Sequence, residues 1–184
     1  MKVTKCEIDG ILIFDLDTFA DGRGLFLETY QKERYYEAGI VENFIQDNRS
    51  ISEKNVLRGL HYQVLKPIGQ LIYVARGSIL DVGVDLRQGS KTFGEHIAIN
   101  LHEDDHRQIY LPPGIAHGFC TFEEINEIHY KCTEYYYPDD EGGVNWQDEA
   151  LAIDWPLKDP KIKDRDDAFP RMSELRSSDF PIVS

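Results

Sequence analysis

Cysteine, basic side chains and long apolar runs are all scarce in this sequence of 184 residues. Its three cysteines are odd in number and lack the spacing of a metal site, which argues against a disulfide framework and predicts free thiols in a reducing cytoplasm. Lysine and arginine number 20 against 33 aspartates and glutamates. The resulting net charge of −13 disfavours nucleic acid as a partner, because that ligand needs a dominant basic surface.

The shortness of the apolar runs also excludes a membrane protein. Runs such as Ile11–Phe14 are far shorter than a bilayer span, and Met1–Val3 does not open like a signal peptide. What the sequence does contain is 41% hydrophobic and 11% aromatic residues, enough for a folded core. We therefore expect one cytoplasmic domain over residues 1–184.

Short apolar stretches between turn residues favour a mainly β fold. The predicted strands are Ile11–Leu16, Val56–Gln63, Gln70–Ala75, Ile79–Leu86, His96–Leu101, Arg107–Leu111, Gly118–Phe122 and Glu127–Thr133. A single convincing helix is predicted at Gln31–Ala38, ended by Gly39. Regularly spaced strands without a βαβ rhythm indicate a sandwich or barrel. The acidic segment Glu134–Ser184 lacks strand-like runs and is expected to wrap over the barrel.

The strand predicted at Ile79–Leu86 alternates between apolar and polar positions. Asp81, Gly83 and Asp85 share one of its faces. Two interpretations stay open: the carboxylates face the barrel interior and need a partner or a polar cavity there, or this face is exposed to solvent.

Three side chains with acid–base chemistry stand on or beside predicted strands: His61, His117 and Tyr130. A metal-binding β-barrel usually supplies two histidines one residue apart and a nearby carboxylate, but the positions two residues from His61 are glycine and glutamine. No metal is therefore expected, and a base or hydrogen-bonding role fits isolated imidazoles better, with a structural role still open. Tyr130 and His129 point to opposite faces of their strand, so one of them can enter a cavity.

Seven short motifs follow one another from about residue 9 to residue 170. They are Asp21–Gly24 with Glu28, Phe44–Ser50, Val56–Gln63, Asp81–Arg87, Pro113–Phe119, Tyr130–Tyr136 and Ile153–Pro156. In this order they resemble the motifs of the dTDP-4-dehydrorhamnose 3,5-epimerase family, and seven together are far more specific than any one. The resemblance implies a cupin-type jelly-roll β-barrel with short helices, which works as a homodimer without a metal or cofactor.

The activity that the resemblance implies is 3,5-epimerisation of a nucleotide-linked 4-keto-6-deoxyhexose. The expected substrate is dTDP-4-dehydro-6-deoxy-D-glucose and the expected product dTDP-4-dehydro-L-rhamnose. Removal of a proton beside the ketone gives an enolate, so the site needs a base, an acid on the opposite face and a group that stabilises the enolate. By resemblance, His61 matches the base, Asp166 the carboxylate that orients it, and Tyr130 the acid.

The resemblance also implies which residues bind the substrate: Arg23, Glu28, Gln46, Asn48, Arg58, His117, Glu141 and Arg165. Arginine suits a diphosphate because its planar fork of N–H donors matches the phosphate oxygens and its charge is opposite. Arg58 and His61 are three residues apart, which puts them on opposite faces of a regular strand. Either Gly59 bulges the strand, or Arg58 serves the site of the other subunit.

Gln70 stands where the resemblance implies a lysine that helps to stabilise the enolate. Glutamine donates a hydrogen bond without a charge, and Lys66 in the preceding loop is a less favoured substitute. The departure leaves three other functions open: epimerisation at C3 or C5 alone, non-catalytic binding of a sugar nucleotide and, most remotely, a metal-dependent cupin oxygenase. The set of His61, Tyr130 and Asp166 favours an enzyme, since a binding protein has no need of an acid and a base.

Overall fold

Thirteen strands and two short helices make up most of the regular structure that a computed structural model describes over residues 1–183. The strands are β1 (Lys2–Lys5), β2 (Leu12–Asp15), β3 (Thr18–Asp21), β4 (Gly24–Leu27), β5 (Gln46–Ser52), β6 (Leu57–Gln63), β7 (Gln70–Arg76), β8 (Ser78–Asp85), β9 (His96–His102), β10 (Arg107–Leu111), β11 (Ile115–Thr121), β12 (Asn126–Cys132) and β13 (Glu141–Gly143). The helices are α1 (Lys32–Ala38) and α2 (Asp164–Asp167). Among these residues no helix has the length and apolarity needed to cross a membrane.

Two antiparallel sheets form the barrel. One has six strands in the order β1-β2-β10-β7-β12-β5, and the other has five in the order β13-β6-β11-β8-β9. Neighbours in space such as β2 and β10 are far apart in sequence, which is the pattern of a jelly roll. The prediction of a mainly β, cupin-type jelly roll is confirmed.

Apolar side chains fill the space between the sheets and also cover the outer face of the five-stranded sheet. Ile72, Ile109 and Phe119 belong to the inner cluster. Val144 and Trp146 belong to the outer one, where the C-terminal segment packs against the barrel. Each large apolar side chain buried in this way contributes roughly 1.5–3 kcal/mol. The segment after residue 133 therefore wraps over the barrel as predicted, although three of its residues form β13.

The predicted helix is present as α1 and begins one residue later than expected. The Gln31 side chain caps it by accepting a hydrogen bond of 2.8 Å from the Arg34 amide. Gly39 ends it in the left-handed region, with φ of 117°. Tyr35 is the buried residue of this helix, and its ring centroid lies 4.8 Å from that of Phe14.

Strand β8 is covered on both faces, which decides between the two interpretations of its carboxylates. Asp81 and Asp85 are fully buried, so the solvent-facing interpretation is wrong. Asp81 contacts His117, and Asp85 pairs with Arg87 at 2.8 Å. Burial by itself raises the pKa of Asp85, but hydrogen bonds from Arg87 and two hydroxyl groups outweigh it and lower the pKa to about 2.

The hairpin of β3 and β4, which carries the Asp21–Gly24 motif, stands apart from both sheets. Its two strands pair with each other and with no strand of the barrel in the described part of the chain. The large apolar side chains Phe19, Leu25 and Phe26 are 62%, 46% and 68% exposed. Exposed apolar groups clustered on one projecting element are typical of a surface that another molecule covers.

Candidate active site

A bulge in β6 brings two predicted site residues onto one face. Arg58 and His61 are three positions apart, whereas the residues opposite them in β11 are two positions apart. Gly59 lies within this irregularity with φ of 127°, and a Cβ atom there would come within 2.5 Å of the Gly118 Cα atom. Only glycine fits such a close approach. The bulge, one of the two explanations for the Arg58 spacing, is therefore present.

Two adjoining cavities open beside this bulge, with volumes of about 490 and 440 Å³. Both are lined by His61, Gln70 and Tyr130. Of the other predicted site residues, the first cavity adds Gln46, Asn48 and Glu141, and the second adds Arg58, His117, Arg165 and Asp166. Ten of the twelve predicted site residues thus meet in one region of the barrel.

His61 and Asp166 form a hydrogen-bonded pair at the border of the cavities. The His61 Nε2 atom lies 2.9 Å from Oδ2 of Asp166, whose side chain is almost completely buried. Burial raises the pKa of Asp166, but the hydrogen bonds and charges of His61 and Arg165 outweigh it, and the net shift is downward. With Nε2–H donating to this carboxylate, the Nδ1 atom of His61 carries the lone pair that is free to accept a proton.

Contacts of the C-terminal segment bring Asp166 to His61 across 105 residues of sequence. The Leu57 amide donates to the carbonyl of Lys161 at 3.0 Å, which fixes the approach to α2. Trp146 Nε1 then donates to Oδ1 of Asp167 at 3.0 Å, which holds the helix itself. The geometry of the His61–Asp166 pair therefore depends on how the segment wraps.

Tyr130 and His129 divide between the two faces of β12 as their alternation predicts. Tyr130 lines the cavities, whereas His129 is exposed and contacts Glu127 at 2.8 Å. Burial raises the pKa of Tyr130; the neighbouring Cys132 adds to this shift and Arg58 opposes it. The phenol therefore keeps its proton at neutral pH and is able to donate it.

Gln70 is the first residue of β7 and lines both cavities together with His61 and Tyr130. Its side chain hydrogen-bonds Cys132, one of three free cysteines. Burial raises the pKa of the Cys132 thiol to about 11, although the hydrogen bonds lower it in part. Lys66 is exposed in the preceding loop and lines neither cavity.

A second histidine–carboxylate pair lies beside the first, and the sequence interpretation assigned only one of its members. His117 faces His61 across the paired strands, and its Nε2 atom is 2.7 Å from Oδ2 of Asp81. The other Asp81 oxygen is buried without a hydrogen-bond partner. The alternation of β8 was the signal for Asp81, but the sequence did not indicate which residue would meet it. Within residues 1–183 no group of three or more His, Cys, Asp or Glu side chains has the arrangement of a metal site.

Positive charge is concentrated in the second cavity. Four basic side chains line it: Arg58, Lys161, Lys163 and Arg165. Arg165 also pairs with Glu141, which in turn accepts a hydrogen bond of 2.9 Å from the Tyr136 hydroxyl. In a protein of net charge −13 this local excess of cations favours an anionic ligand.

Arg23 and Glu28 are the two predicted site residues that this chain does not bring to the cavities. Arg23 lies at the tip of the β3–β4 hairpin, with its side chain 91% exposed and paired with Asp21. Glu28 pairs with Arg34 at 2.8 Å. Neither lines either cavity, and their contact with the ligand stays a prediction.

A jelly-roll barrel that holds a histidine–carboxylate pair, a partly buried tyrosine and a group of cations in one region defines a protein suited to proton transfer on an anionic ligand. Comparison with known proteins narrows this class. The sequence model of a family described as dTDP-4-dehydrorhamnose 3,5-epimerase matches residues 5–174. The chain belongs to this family.

Its relatives are similar over almost their whole length. The dTDP-4-dehydrorhamnose 3,5-epimerase of Salmonella typhimurium is 42% identical over 177 residues, which cover 95% of this chain and 97% of the relative. The crystal structure of the Legionella pneumophila dTDP-6-deoxy-D-glucose-3,5-epimerase in complex with dTDP-4-keto-L-rhamnose has a TM-score of 0.95 and 38% identity, covering 100% of this chain and 98% of that one. A 3'-monoepimerase from Streptomyces bikiniensis in complex with dTDP-quinovose is also similar, with a TM-score of 0.86 and 29% identity, covering 91% and 86%.

Proposed function

We propose that this chain is an isomerase that converts dTDP-4-dehydro-6-deoxy-D-glucose into dTDP-4-dehydro-L-rhamnose by inverting C3 and C5. The observation that carries the proposal is the meeting of a carboxylate-paired histidine, His61, and a partly buried tyrosine, Tyr130, at one cavity. Membership of the epimerase family supports it independently. A cytoplasmic location and a single domain over the whole chain remain predictions of this proposal.

In the proposed reaction His61 removes a proton from a carbon next to the ketone. The C–H electron pair moves into an enolate, whose negative charge rests on the ketone oxygen, and the proton goes to Nδ1. The buried Asp166 carboxylate stabilises the imidazolium that forms. Tyr130 then donates its proton to the opposite face of the same carbon, which inverts it. His61 loses its proton to water and Tyr130 regains one, so the step needs no cofactor.

The remaining lining residues suit the anionic part of the substrate. Arg58 and Arg165 are proposed to hold the diphosphate, because guanidinium groups match phosphate oxygens in both charge and geometry. The other proposed contacts are made by Gln46, Asn48, His117 and Glu141. Gln46 and Asn48 are already oriented by their own hydrogen bond of 3.1 Å.

We propose that the active form is a homodimer in which each hairpin reaches the site of the other subunit. The support is that Arg23, which by resemblance binds substrate, lies outside the cavities of its own chain, on a hairpin whose apolar side chains Phe19, Leu25 and Phe26 are exposed. A second copy is the occupant that covers this surface and brings a hairpin arginine to each anionic ligand.

Mixed dimers test this arrangement. Arg23→Ala should raise KM about tenfold or more, since a charge-assisted hydrogen bond to phosphate is lost. His61→Asn subunits should be inactive. Co-expression of the two variants should restore low-KM activity, because one site of each mixed dimer has both His61 and an intact Arg23 from the other subunit. Kinetics of the purified mixed dimer measure this, and activity no higher than that of the two separate variants would show that Arg23 acts on its own chain's site or not at all.

The reaction itself is tested by proton NMR of the 4-keto sugar nucleotide in D2O with the purified protein. We expect the C3 and C5 proton signals to disappear and the signals of dTDP-4-dehydro-L-rhamnose to grow. Exchange at neither carbon would reject the epimerase proposal in favour of a binding protein. Exchange at C3 alone or C5 alone would support the second candidate function, a single-carbon epimerase, which the uncharged Gln70 favours.

Gln70 gives a separate prediction, since it is the only lining residue proposed to donate to the enolate oxygen. Gln70→Lys should raise the rate of C–H exchange on the order of 10- to 1000-fold, because a charged donor stabilises the enolate more than an amide does. Gln70→Met should lower it, and Lys66→Met, at an exposed position outside both cavities, is the matched control and should leave it unchanged. Exchange rates within twofold of the starting protein in both Gln70 variants would remove residue 70 from enolate stabilisation.

A further inference from the structure

Phe169, two residues after α2, contacts both His61 and Arg165 at the cavity border. Its ring centroid is 5.7 Å from that of His61, with the two planes at 80°, so the rings meet edge to face. The Arg165 guanidinium carbon lies 5.6 Å from the same ring centroid. It lies outside all seven sequence motifs.

Gly143 provides the space that the Phe169 ring occupies. Gly143 lies opposite His61 in the pairing of β13 with β6. A Cβ atom at Gly143 would be only 2.3 to 2.5 Å from three carbons of the Phe169 ring. The ring therefore packs directly on the backbone of β13, and any side chain at residue 143 would displace it. The Phe169 amide also bonds the Asp166 carbonyl at 3.4 Å, which links the ring to the helix that carries the carboxylate.

Two placements of the His61 ring proton are compatible with the neighbours of Nε2, and the orientation of the imidazole decides between them. In one, Nε2–H donates to Asp166 at 2.9 Å and Nδ1 is free to act as a base. In the other, Nε2 carries the lone pair and accepts from the Arg165 guanidinium, whose terminal nitrogen is 3.3 Å away, while Nδ1 holds the proton. The second arrangement leaves no free lone pair at Nδ1 and so no base.

We propose that Phe169 is a positioning residue that leaves Nδ1 of His61 free to act as a base, by fixing the imidazole plane edge to face so that Nε2–H stays directed at Asp166. A hydrogen bond at Nε2 alone leaves the ring free to turn, and the aromatic contact removes that freedom. The Arg165 guanidinium, which contacts the same ring, already lies 3.3 Å from Nε2, so an imidazole that turns away from Asp166 meets a donor there. This inference rests on the proposed role of His61 as the base.

Which of the two His61 ring nitrogens carries the proton is the direct test of the proposal. In protein labelled with 15N histidine, NMR shifts should show one dominant form of His61, with the proton on Nε2. Phe169→Leu should give a mixture of the two forms and lower kcat about tenfold, because small misplacements of a catalytic group are costly. Phe169→Tyr keeps the aromatic ring and should show the single His61 form and the kcat of the starting protein. Phe180→Leu is the matched control: Phe180 is another aromatic of the C-terminal segment, 5.3 Å from Phe93, that lines neither cavity.

Gly143→Ala tests the same contact by changing the backbone position on which the Phe169 ring packs. It should reproduce the His61 signals of Phe169→Leu, and the two changes should not be additive, because the smaller leucine relieves the clash with the new methyl group. Unchanged His61 signals with kcat within twofold in both single variants overturn the proposal. The proposal is also overturned if kcat of these variants falls only in proportion to their melting temperature, which is the result expected for Phe180→Leu. If Phe169→Leu fails to fold, Gly143→Ala and Phe169→Tyr decide. The NMR readout needs no turnover, so an inactive wild-type protein would reject the proposed function without affecting this result.

Discussion

His61→Asn is expected to lower C–H exchange at both carbons of the 4-keto sugar about 10²- to 10⁴-fold, the range that a positioned general base contributes. Asparagine keeps a side-chain N–H for Asp166, which preserves the local hydrogen bond, but it has no group that takes up a proton near neutral pH. Substrate affinity should change little, because Arg58 and Arg165 remain. Proton NMR in D2O measures exchange, and titration calorimetry measures binding.

His96→Asn is the matched control for this experiment. His96 is also on a strand, β9, and it lines neither cavity, so the same substitution there should leave exchange within twofold. Residual exchange in His61→Asn within tenfold of the starting protein would mean that another group is the base. The second pair, His117 with Asp81, would then be the first place to look, since it lies directly beside His61.

Tyr130→Phe is expected to separate two activities that His61→Asn abolishes together. Removal of the hydroxyl leaves the base in place, so exchange on the face of His61 should continue within about tenfold. Product with an inverted carbon should fall about 10²- to 10⁴-fold, because no acid remains on the opposite face. The ratio of exchange to inversion, followed by NMR in the same sample, is the measured quantity.

Tyr73→Phe provides the control, since Tyr73 is a half-buried tyrosine of β7 that lines neither of the two cavities. It should affect neither activity. Equal loss of exchange and inversion in Tyr130→Phe would assign Tyr130 to substrate positioning or enolate stabilisation and would leave the acid unidentified.

The strands that the sequence predicted well are those with an apolar face and clear turn residues at both ends. β7, β9, β10 and β12 lie within one residue or two of their predicted bounds. β5, at Gln46–Ser52, was missed because its residues are almost all polar, and β13 because it is three residues long with two glycines. β11 begins three residues before the predicted Gly118, which places His117 inside a strand. These elements exist because neighbouring strands supply their hydrogen bonds, and their own sequences carry little signal.

The candidate site, like the strands, could be predicted from the sequence only in part. Residue types and order in the chain were enough to assign His61, Tyr130 and Asp166 through the resemblance, and ten of the twelve assigned residues do meet at the cavities. The sequence did not indicate that Asp81 would pair with His117, nor that Phe169 would pack on Gly143. Each of these contacts joins residues that are far apart along the chain, so periodicity within one segment carries no trace of them.

By itself, then, the sequence determined the fold class, the family and the chemical types at the site, because alternation, turn residues and short motifs are local properties of the chain. Only the tertiary structure decided which of these residues act together. The bulge at Gly59 turns Arg58 to the face of His61, the wrap of the C-terminal segment carries Asp166 to the same imidazole, and the projecting hairpin takes Arg23 away from both. Bulges, wrapping and exposure result from packing between distant segments, and packing is a property of the folded barrel as a whole.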